Sequence, residues 1–427
     1  MVMIFFLMGI ILLVGAPLAV GFGLPIFFSL DALGLSITSL SNIPYEEISA
    51  FSLIAIPLFM FTGGLMSASG MAKELIALSD VALGRIRGAF GYIAIAASAL
   101  LGAITGSSVA TVAAVGGIVS PEMIRRGYPA GYVAALTATA GLLGVLLPPS
   151  IPLILYGATV GVSVSQLFTA TLLPAALMAA LFLIVHVFLS RRLLPNGVEQ
   201  RTAENNVALD HQPVTPLRIA GRASSVLLLP FIILGGIYGG IMTPTEAAAV
   251  GCLYAVVVVV LRRMVSHKVM AGALREAVIT GAGILFVIAL TGVFNRAMVL
   301  NQVPQDLAMW VATHIESPLV FLLTVNVVLL VVGSFMETNA SILLMGPLLA
   351  PAAAQFNIDP VHFGIIVATN LEIGLLTPPM AANLYVAARA ANVPMLKMLR
   401  YLAYFFTAAL IGQALITYVP FFTLWFR

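Results

Sequence analysis

The sequence contains very little charge for its length. Only 8% of its 427 residues are Asp, Glu, Lys or Arg, whereas 61% are hydrophobic. A soluble domain carries roughly 25% charged residues, and the mean hydropathy of this chain is +1.12. The chain is therefore predicted to be an all-α polytopic membrane protein, and the lipid bilayer is its first expected partner.

Cysteine and the common catalytic motifs are scarce as well. The only cysteine, Cys252, lies in an apolar run, which excludes disulfides and cysteine-ligated metals. The sequence contains no HExxH, no P-loop and no GxSxG elbow. Its basic residues are scattered through the predicted loops, which argues against binding of nucleic acid. We therefore expect that the chain is not an enzyme and that its energy comes from a gradient or from a partner chain.

Apolar runs of about 20 residues predict ordinary membrane spans. These spans are 2–20, 21–40, 50–70, 166–189, 223–242, 246–261, one that ends near Arg296, and 401–425. Residues 41–49 are predicted to form a polar loop, and residues 266–279 an amphipathic helix at the membrane surface. Residues 73–88 are predicted either as a second such helix or as a plain loop. The polar stretch 191–222 has a basic excess and is expected to be a cytoplasmic linker between two halves.

Residues 90–120 consist of two apolar arms around a polar tip. The arms, 90–105 and 109–120, are too short to cross the bilayer comfortably, because a spanning helix needs ~20 residues. The flanking cations are Arg85, Arg87, Arg125 and Arg126. Cationic loops stay in the cytoplasm, so the chain is predicted to enter and leave on one side. The segment is then a re-entrant hairpin with the tip Gly106-Ser107-Ser108 inside the membrane.

The next apolar segment, 130–162, is interrupted by Leu147-Pro148-Pro149-Ser150. Proline removes a backbone donor and blocks the preceding helical turn, so two half-helices are predicted. Unpaired backbone at membrane depth is tolerated only where it lines a cavity or a site. The hairpin tip and this break are therefore expected to share one site.

The second half of the chain repeats this pattern at a shift of 230 positions. The alignment needs no gap from about Ser108 to Gln166. Its matched pairs include Gly116 with Gly346, Pro121 with Pro351, Gly144 with Gly374, and Pro148-Pro149 with Pro378-Pro379. A second hairpin is thus predicted at 318–350, with its tip at 334–339. A second broken helix is predicted at 361–391, with its break at 376–379.

Charge predicts that the two halves lie in opposite orientations. Residues 303–317 and 351–362, which flank the second hairpin, contain no Lys or Arg, in contrast to the arginines around the first. The first hairpin is therefore expected to enter from the cytoplasm and the second from outside. Inverted repeats are typical of secondary transporters, whose site lies near the membrane midplane. The sequence predicts a transporter.

The two tips and the two breaks supply candidate ligands for cations. Helix ends leave backbone carbonyls unpaired and carry a negative dipole at the C-terminus, and transporters bind monovalent cations at such positions. The candidates at the tips are Ser107, Ser108, Thr338 and Asn339, and those at the breaks are the matched triplets Gly144, Leu147 and Ser150 against Gly374, Thr377 and Met380. Two cation sites are predicted, one per half. The alternative is that these residues merely permit tight turns and proline kinks.

Two carboxylates near membrane depth are further candidates. Glu337 and Glu372 could couple to an ion or carry a proton, because buried charge in a membrane is expensive and usually functional. Glu337 could instead face water at the tip. Their repeat equivalents are Ser107 and Leu142, so they rank below the tips and the breaks. Arg389 is expected either to steer an anionic substrate or to anchor its helix at the cytoplasmic surface.

Several motifs resemble those of a known family. They are Ala55-Ile56-Pro57-Leu58-Phe59, Thr105–Thr111, Leu146–Pro152 with Tyr156-Gly157, and Thr377-Pro378-Pro379. These stretches resemble the large membrane subunit of tripartite ATP-independent periplasmic (TRAP) transporters, and the similarity extends over essentially the whole chain.

The resemblance implies an inverted-repeat, elevator-type transporter. A scaffold, residues 1–89 and 219–316, would carry a mobile transport domain, residues 90–190 and 317–427, and residues 191–218 would link the halves. The resemblance also implies sodium (Na+) as the coupling ion, a small four-helix membrane subunit and a periplasmic substrate-binding protein. The substrate would be an organic anion, such as a C4-dicarboxylate or a sialic acid, and the location would be the bacterial inner membrane.

Matching motifs also carry over the family's site residues. The implied sodium ligands are Ser107, Ser108, Gly144 and Pro148 in one site, and Thr338, Asn339, Gly374 and Thr377 in the other. Leu147 stands where the second half has Thr377, which leaves open whether the first site uses a side chain there. The substrate is expected between the tips, near Ser107, Ser108, Ser150, Thr338, Asn339 and Met380. The alternatives are a free-standing ion-coupled dicarboxylate symporter without a binding protein, an intramembrane enzyme and a channel.

Overall fold

The computed structural model describes residues 2–13, 18–30, 33–83, 86, 88–193 and 216–427, and it shows helices and no strand within them. The helices of the first half are α1 Val2–Leu13, α2 Leu18–Phe27, α3 Ser39–Ile48, α4 Ala55–Ala68, α5 Met71–Leu83, α6 Ala89–Thr105, α7 Ser108–Arg125, α8 Ala130–Ala140, α9 Leu143–Leu146, α10 Ile151–Val160, α11 Val164–Ala170 and α12 Leu172–Leu193. Those of the second half are α13 Pro216–Tyr238, α14 Pro244–Leu261, α15 His267–Leu300, α16 Val303–His314, α17 Pro318–Phe335, α18 Thr338–Gln355, α19 Pro360–Gly374, α20 Ala382–Ala390, α21 Met395–Tyr418 and α22 Phe421–Leu424.

Six helical segments of the described chain are long and apolar enough to cross a membrane. They are Phe51–Ala68, Val164–Leu193, Pro244–Leu261, His267–Leu300, Pro318–Phe335 and Met395–Tyr418. A seventh candidate is the pair Ala130–Leu146 and Ile151–Val160, which is bent by 42° at its break. The protein is therefore a multi-pass membrane protein, as its composition predicts. The re-entrant placement of both hairpins stays a prediction, and Pro318–Phe335 is itself long enough to cross.

Three of the predicted boundaries are wrong. Helix α2 runs through the expected boundary between spans 2–20 and 21–40 and ends at Phe27, and residues 41–49 lie mostly in helix α3 instead of a loop. The expected surface helix 266–279 and the span after it are one continuous helix of 34 residues, α15. Apolar length predicts that a segment is buried in lipid, but caps and packing decide where its helix begins and ends. Arg85, Arg87 and most of the expected linker, residues 194–215, lie outside the described residues.

The two halves are inverted relative to each other. Helix α8 begins beside the N-terminal end of α21, where a Cβ on Gly131 would lie 2.3 Å from the Lys397 carbonyl oxygen. Helix α19, the repeat equivalent of α8, begins at the other end, where Asp359 forms an ion pair with Arg427. Since α21 spans 24 residues, these ends are separated by about 36 Å at 1.5 Å per residue. The equivalent helices α8 and α19 therefore run in opposite directions along α21, as an inverted repeat requires.

The halves also interlock by reciprocal contacts. Helices α7 and α18 are both 18 residues long and match at the shift of 230. A Cβ on Gly116 of α7 would lie 3.3 Å from the Cβ of Ala390 in α20. At the equivalent positions, a Cβ on Gly346 of α18 would lie 3.3 Å from Val160 of α10. In a two-fold interface each partner makes the same contact with the other. Each broken helix therefore packs against the hairpin of the other half.

Candidate functional site

The first hairpin turns within two residues. Gly106 ends α6 in the left-handed conformation at φ +62°, and Ser107 is extended and caps α7, its Oγ accepting the Ala110 N–H at 3.4 Å. The Thr111 hydroxyl donates to the Ser107 carbonyl at 2.8 Å. Ser108, the third residue of the expected tip, is the first residue of α7. The turn therefore lies at the place predicted from the polar residues.

The first hairpin packs on the break of its own half through bare backbone. A Cβ on Gly102 would lie 2.5 Å from the Cα of Gly144, and one on Gly144 would lie 2.8 Å from the Ser107 carbonyl oxygen. A Cβ on Gly106 would lie 2.6 Å from the carbonyl oxygen of Pro149. Only glycine allows an approach this close. The structure thus places Ser107, Gly144 and the proline pair next to one another.

The second hairpin has a shorter tip than expected. Helix α17 continues to Phe335 and α18 begins at Thr338, so only Met336 and Glu337 remain between them, instead of 334–339. The reason is the cap formed by Glu337. Its carboxylate accepts the backbone N–H groups of Asn339 at 3.0 Å and Ala340 at 3.3 Å, and the Asn339 side-chain amide at 2.6 Å. Glu337 thus stabilises the helix start where negative charge is favoured.

The contact between hairpin and break recurs in the second half. A Cβ on Gly374 would lie 2.6 Å from the Cα and carbonyl carbon of Gly333, which is backbone against backbone. The Met380 N–H donates to the Ser334 carbonyl at 2.8 Å and joins the end of the break to the hairpin. In the first half, the Ile151 N–H donates to the Gly106 carbonyl at 3.4 Å. Both halves therefore place a hairpin tip against unwound backbone.

A cavity of about 760 Å³ lies between the two hairpin tips and the helices α4 and α15. Its lining includes the tip residues Ser107, Ser108 and Asn339 and the carboxylates Glu276, Glu337 and Glu372. No Lys, Arg or His is found among the described residues that line it. Ser150 and Thr338 are buried behind the lining, and Met380 is exposed outside it. The tips of both halves therefore reach one cavity.

Several buried polar atoms around the tips and breaks have no hydrogen-bond partner. They are Ser150 Oγ, Thr338 Oγ1, Asn339 Oδ1, Thr377 Oγ1, Glu372 Oε2 and both amide atoms of Asn383. A buried polar atom without a partner costs about 1–3 kcal/mol, and a cation bound to these oxygens would offset that cost. All but one of these atoms are oxygens, which suits a hard monovalent cation. Among the described residues, no three His, Cys, Asp or Glu side chains converge on a metal position.

Two residues of this set are not prominent in the sequence pattern. Glu372 ranks low because it has no repeat equivalent, and Asn383 is not singled out. Glu372 is 2% exposed and lies beside the hydroxyl groups of Ser108 and Thr338, one from each hairpin. Asn383 is fully buried near the start of α20. Polar residues inside an apolar run are the signal that could have found both. Arg389 lies exposed at the far end of α20, away from the cavity lining.

Comparison with known protein families gives a match over almost the whole chain. The family described as "Tripartite ATP-independent periplasmic transporter, DctM component" matches residues 1–422.

Individual relatives agree with this family. The chain is 38% identical over 387 residues to the C4-dicarboxylate TRAP transporter large permease protein DctM of Pseudomonas aeruginosa, covering 90% of this chain and 88% of that protein. It is 33% identical to the sialic acid TRAP transporter large permease protein SiaM of Vibrio cholerae, covering 94% of each. It is 34% identical to the isethionate TRAP transporter permease protein DctMQ of Oleidesulfovibrio alaskensis, covering 96% of this chain but 63% of that longer protein.

A solved structure shares the architecture. The YdaH transporter of Alcanivorax borkumensis aligns with a TM-score of 0.57 at 16% sequence identity, covering 89% of this chain and 88% of that one. At this identity the likeness concerns the fold alone.

Proposed function

Because the chain belongs to the DctM family of TRAP transporters and is the large membrane subunit of such a transporter, we propose that it takes up an organic anion coupled to the inward flow of sodium ions. The observation that carries this proposal is a pair of matched contacts, one per half, in which a hairpin tip meets unwound backbone. Buried oxygens around these contacts lack hydrogen-bond partners. Unwound carbonyls and the C-terminal ends of half-helices coordinate sodium in other transporters of this general design.

The chain offers one set of sodium ligands in each half. The first site uses the tip and break of the first half, with the ligands Ser107, Ser108, Gly144 and Pro148. The second uses those of the second half, with the ligands Thr338, Asn339, Gly374 and Thr377. The oxygens Asn339 Oδ1 and Thr377 Oγ1 support the second set, because each is buried and has no hydrogen-bond partner. In the first set the backbone supplies most of the oxygens, since Leu147 replaces Thr377.

The substrate carboxylate docks between the two tips. Helix N-termini favour anions, and both α7 and α18 begin at the cavity. Glu337 already caps α18, so the start of α7 at Ser107 and Ser108 is the more available of the two. The names of the relatives indicate a C4-dicarboxylate or a sialic acid as the class of substrate. The remaining expected contacts, Ser150, Thr338, Asn339 and Met380, close the site after sodium orders the tips.

Transport proceeds by an elevator motion. The transport domain, residues 90–190 and 317–427, carries the site across the scaffold, residues 1–89 and 219–316. The position of the cavity between the hairpin tips and helices α4 and α15 supports this division, because two sides of the site belong to different units. If the substrate is a monoanion, two sodium ions move one net positive charge inward, and each charge contributes about 2.3 kcal/mol per 100 mV; with a doubly charged dicarboxylate the same two ions move no net charge.

The transporter works with two partners in the bacterial inner membrane and the periplasm. A soluble periplasmic binding protein delivers the anion, and a small four-helix membrane subunit packs against the scaffold. The longer DctMQ relative, of which this chain matches 63%, is consistent with a further membrane segment that is fused in some family members.

The test is transport by the complex reconstituted in proteoliposomes with its binding protein and small subunit. We expect uptake of the anion only when sodium is higher outside. Ser108→Ala and Thr377→Ala should each raise the sodium concentration needed for half-maximal uptake, because each removes one ligand hydroxyl. Gly117→Ala is the control, since a methyl group there meets nothing within 4 Å. Uptake that ignores the sodium gradient would refute the coupling, and uptake without the binding protein would favour the free-standing symporter.

A further inference from the structure

Glu372 lies close to both hairpins. It lies in α19, two residues before Gly374, and it is 2% exposed. Its carboxylate lies beside the hydroxyl groups of Ser108 and Thr338. These two residues are repeat equivalents, each the first residue of the second arm of its hairpin. Glu372 therefore lies between the second arms of the two hairpins.

The carboxylate of Glu372 is not neutralised by a basic side chain. Its Oε2 atom is buried and has no hydrogen-bond partner, and the residue lines the central cavity. Among the described lining residues none is basic. A buried carboxylate at membrane depth that has hydroxyl neighbours but no cationic partner is costly. The arrangement thus calls for a cation from outside the chain.

The other two carboxylates at the cavity are not placed to attract such a cation. Both oxygens of Glu337 accept hydrogen bonds from Asn339 and Ala340. Glu276 lies on the scaffold helix α15 and is exposed. The repeat equivalent of Glu372 is Leu142, so the first half has no carboxylate of its own at this position. One acidic residue is therefore available to serve both halves.

We propose that Glu372 is a counter-charge shared by the two sodium sites. This inference rests on the proposed sodium coupling and adds to it a residue outside both ligand sets. Two cations in neighbouring sites repel each other, and a carboxylate between them stabilises both, since the attraction between opposite charges is strong where water is excluded. Glu372 thus allows a first half without a carboxylate of its own to bind sodium.

The test uses Glu372→Gln, which removes the charge and keeps the shape. Sodium binding is followed as thermal stabilisation of the purified complex, with choline chloride keeping the ionic strength constant. Each site is isolated by disabling the other: the Ser108→Ala background reports the second site, and the Thr377→Ala background reports the first. We expect Glu372→Gln to raise the half-saturating sodium concentration at least about tenfold in both backgrounds. A nearby opposite charge changes the affinity of a carboxyl group for a proton by a similar factor.

Two further variants separate charge from packing. Glu276→Gln removes a carboxylate from the same cavity on the scaffold side, and it should leave the sodium response unchanged in both backgrounds. Glu372→Asp keeps the charge on a shorter side chain, and it should retain most of the sodium response even if Glu372→Gln is too unstable to purify. An Asp variant that has lost the response would show that shape, not charge, is what matters, and would overturn the proposal.

The remaining outcomes separate this inference from the proposed function. If sodium and choline affect the wild-type protein equally, the sodium coupling itself fails and the inference fails with it. If the wild type responds to sodium and Glu372→Gln responds in the same way, only the shared counter-charge is refuted. A loss confined to one background would assign Glu372 to a single site and also overturn the sharing.

Discussion

The contact between Gly102 and Gly144 makes a sharp prediction about the first of the two proposed sodium sites. In Gly102→Ala, the new methyl group would lie 2.5 Å from the Cα of Gly144 and 2.9 Å from the carbonyl oxygen of Leu143. Both atoms belong to the backbone, so no side-chain rotation relieves the clash. The hairpin and the break must move apart by about 0.9 Å to reach the 3.4 Å at which ordinary contact begins.

The magnitude follows from two opposing effects. Alanine is favoured over glycine inside a helix by ~1 kcal/mol, whereas overpacking typically costs ~1–3 kcal/mol. Because only backbone can give way here, we take the upper value, which leaves a net loss of ~2 kcal/mol in the free energy of unfolding. The same displacement moves the Ser107 and Gly144 oxygens apart. If the loss of ~2 kcal/mol falls on the ion-bound state, the affinity for sodium decreases ~30-fold.

The assay is the sodium dependence of thermal stability in detergent, followed by uptake in proteoliposomes. Gly117→Ala is a matched control, because Gly117 lies in the other arm of the same hairpin and a Cβ there meets nothing within 4 Å. That control should be neutral or more stable by up to ~1 kcal/mol. If Gly102→Ala keeps the wild-type stability and sodium response, the close approach does not shape the site and the reasoning is wrong.

Three other predictions address the rest of the molecule. Asn326→Leu should lower the free energy of unfolding, measured by chemical unfolding, by about 2 kcal/mol. The Oδ1 atom of Asn326 accepts hydrogen bonds from three donors on α19 and α21. Each hydrogen bond inside a membrane protein contributes ~0.6 kcal/mol, and the substitution leaves all three donors without this partner. Arg262→Lys should weaken the packing of α5 against α14 by about 1 kcal/mol, since lysine keeps the charge but cannot reproduce the two-fold contact with Glu74 at 2.6 and 3.0 Å; an Arg262→Lys protein as stable as the wild type would show that charge alone matters. Finally, Arg125→Cys should react with a membrane-impermeant thiol reagent from the cytoplasmic side and Asn357→Cys from the opposite side, and labelling of both from one side would contradict the inverted repeat.

Local sequence features were sufficient for the hairpins and the breaks. Proline pairs stop helices wherever they occur in a chain, and a polar tip between short apolar arms indicates a turn. Both breaks and the first tip accordingly lie within a few residues of their predicted positions. The second tip was predicted too long, because nothing in the local pattern indicates that Glu337 caps α18.

The sequence by itself determined the membrane class, the internal repeat and the opposite orientation of the halves, because composition, a constant shift of 230 positions and the distribution of arginines are all readable along one dimension. Tertiary structure alone decided which residues meet: Gly102 with Gly144, Gly116 with Ala390, and Glu372 with the first residue of the second arm of each hairpin. Such contacts join residues that are 34 to 274 positions apart and depend on how the two halves pack. For that reason a carboxylate without a repeat equivalent, which the sequence pattern ranks low, lies at the centre of the site.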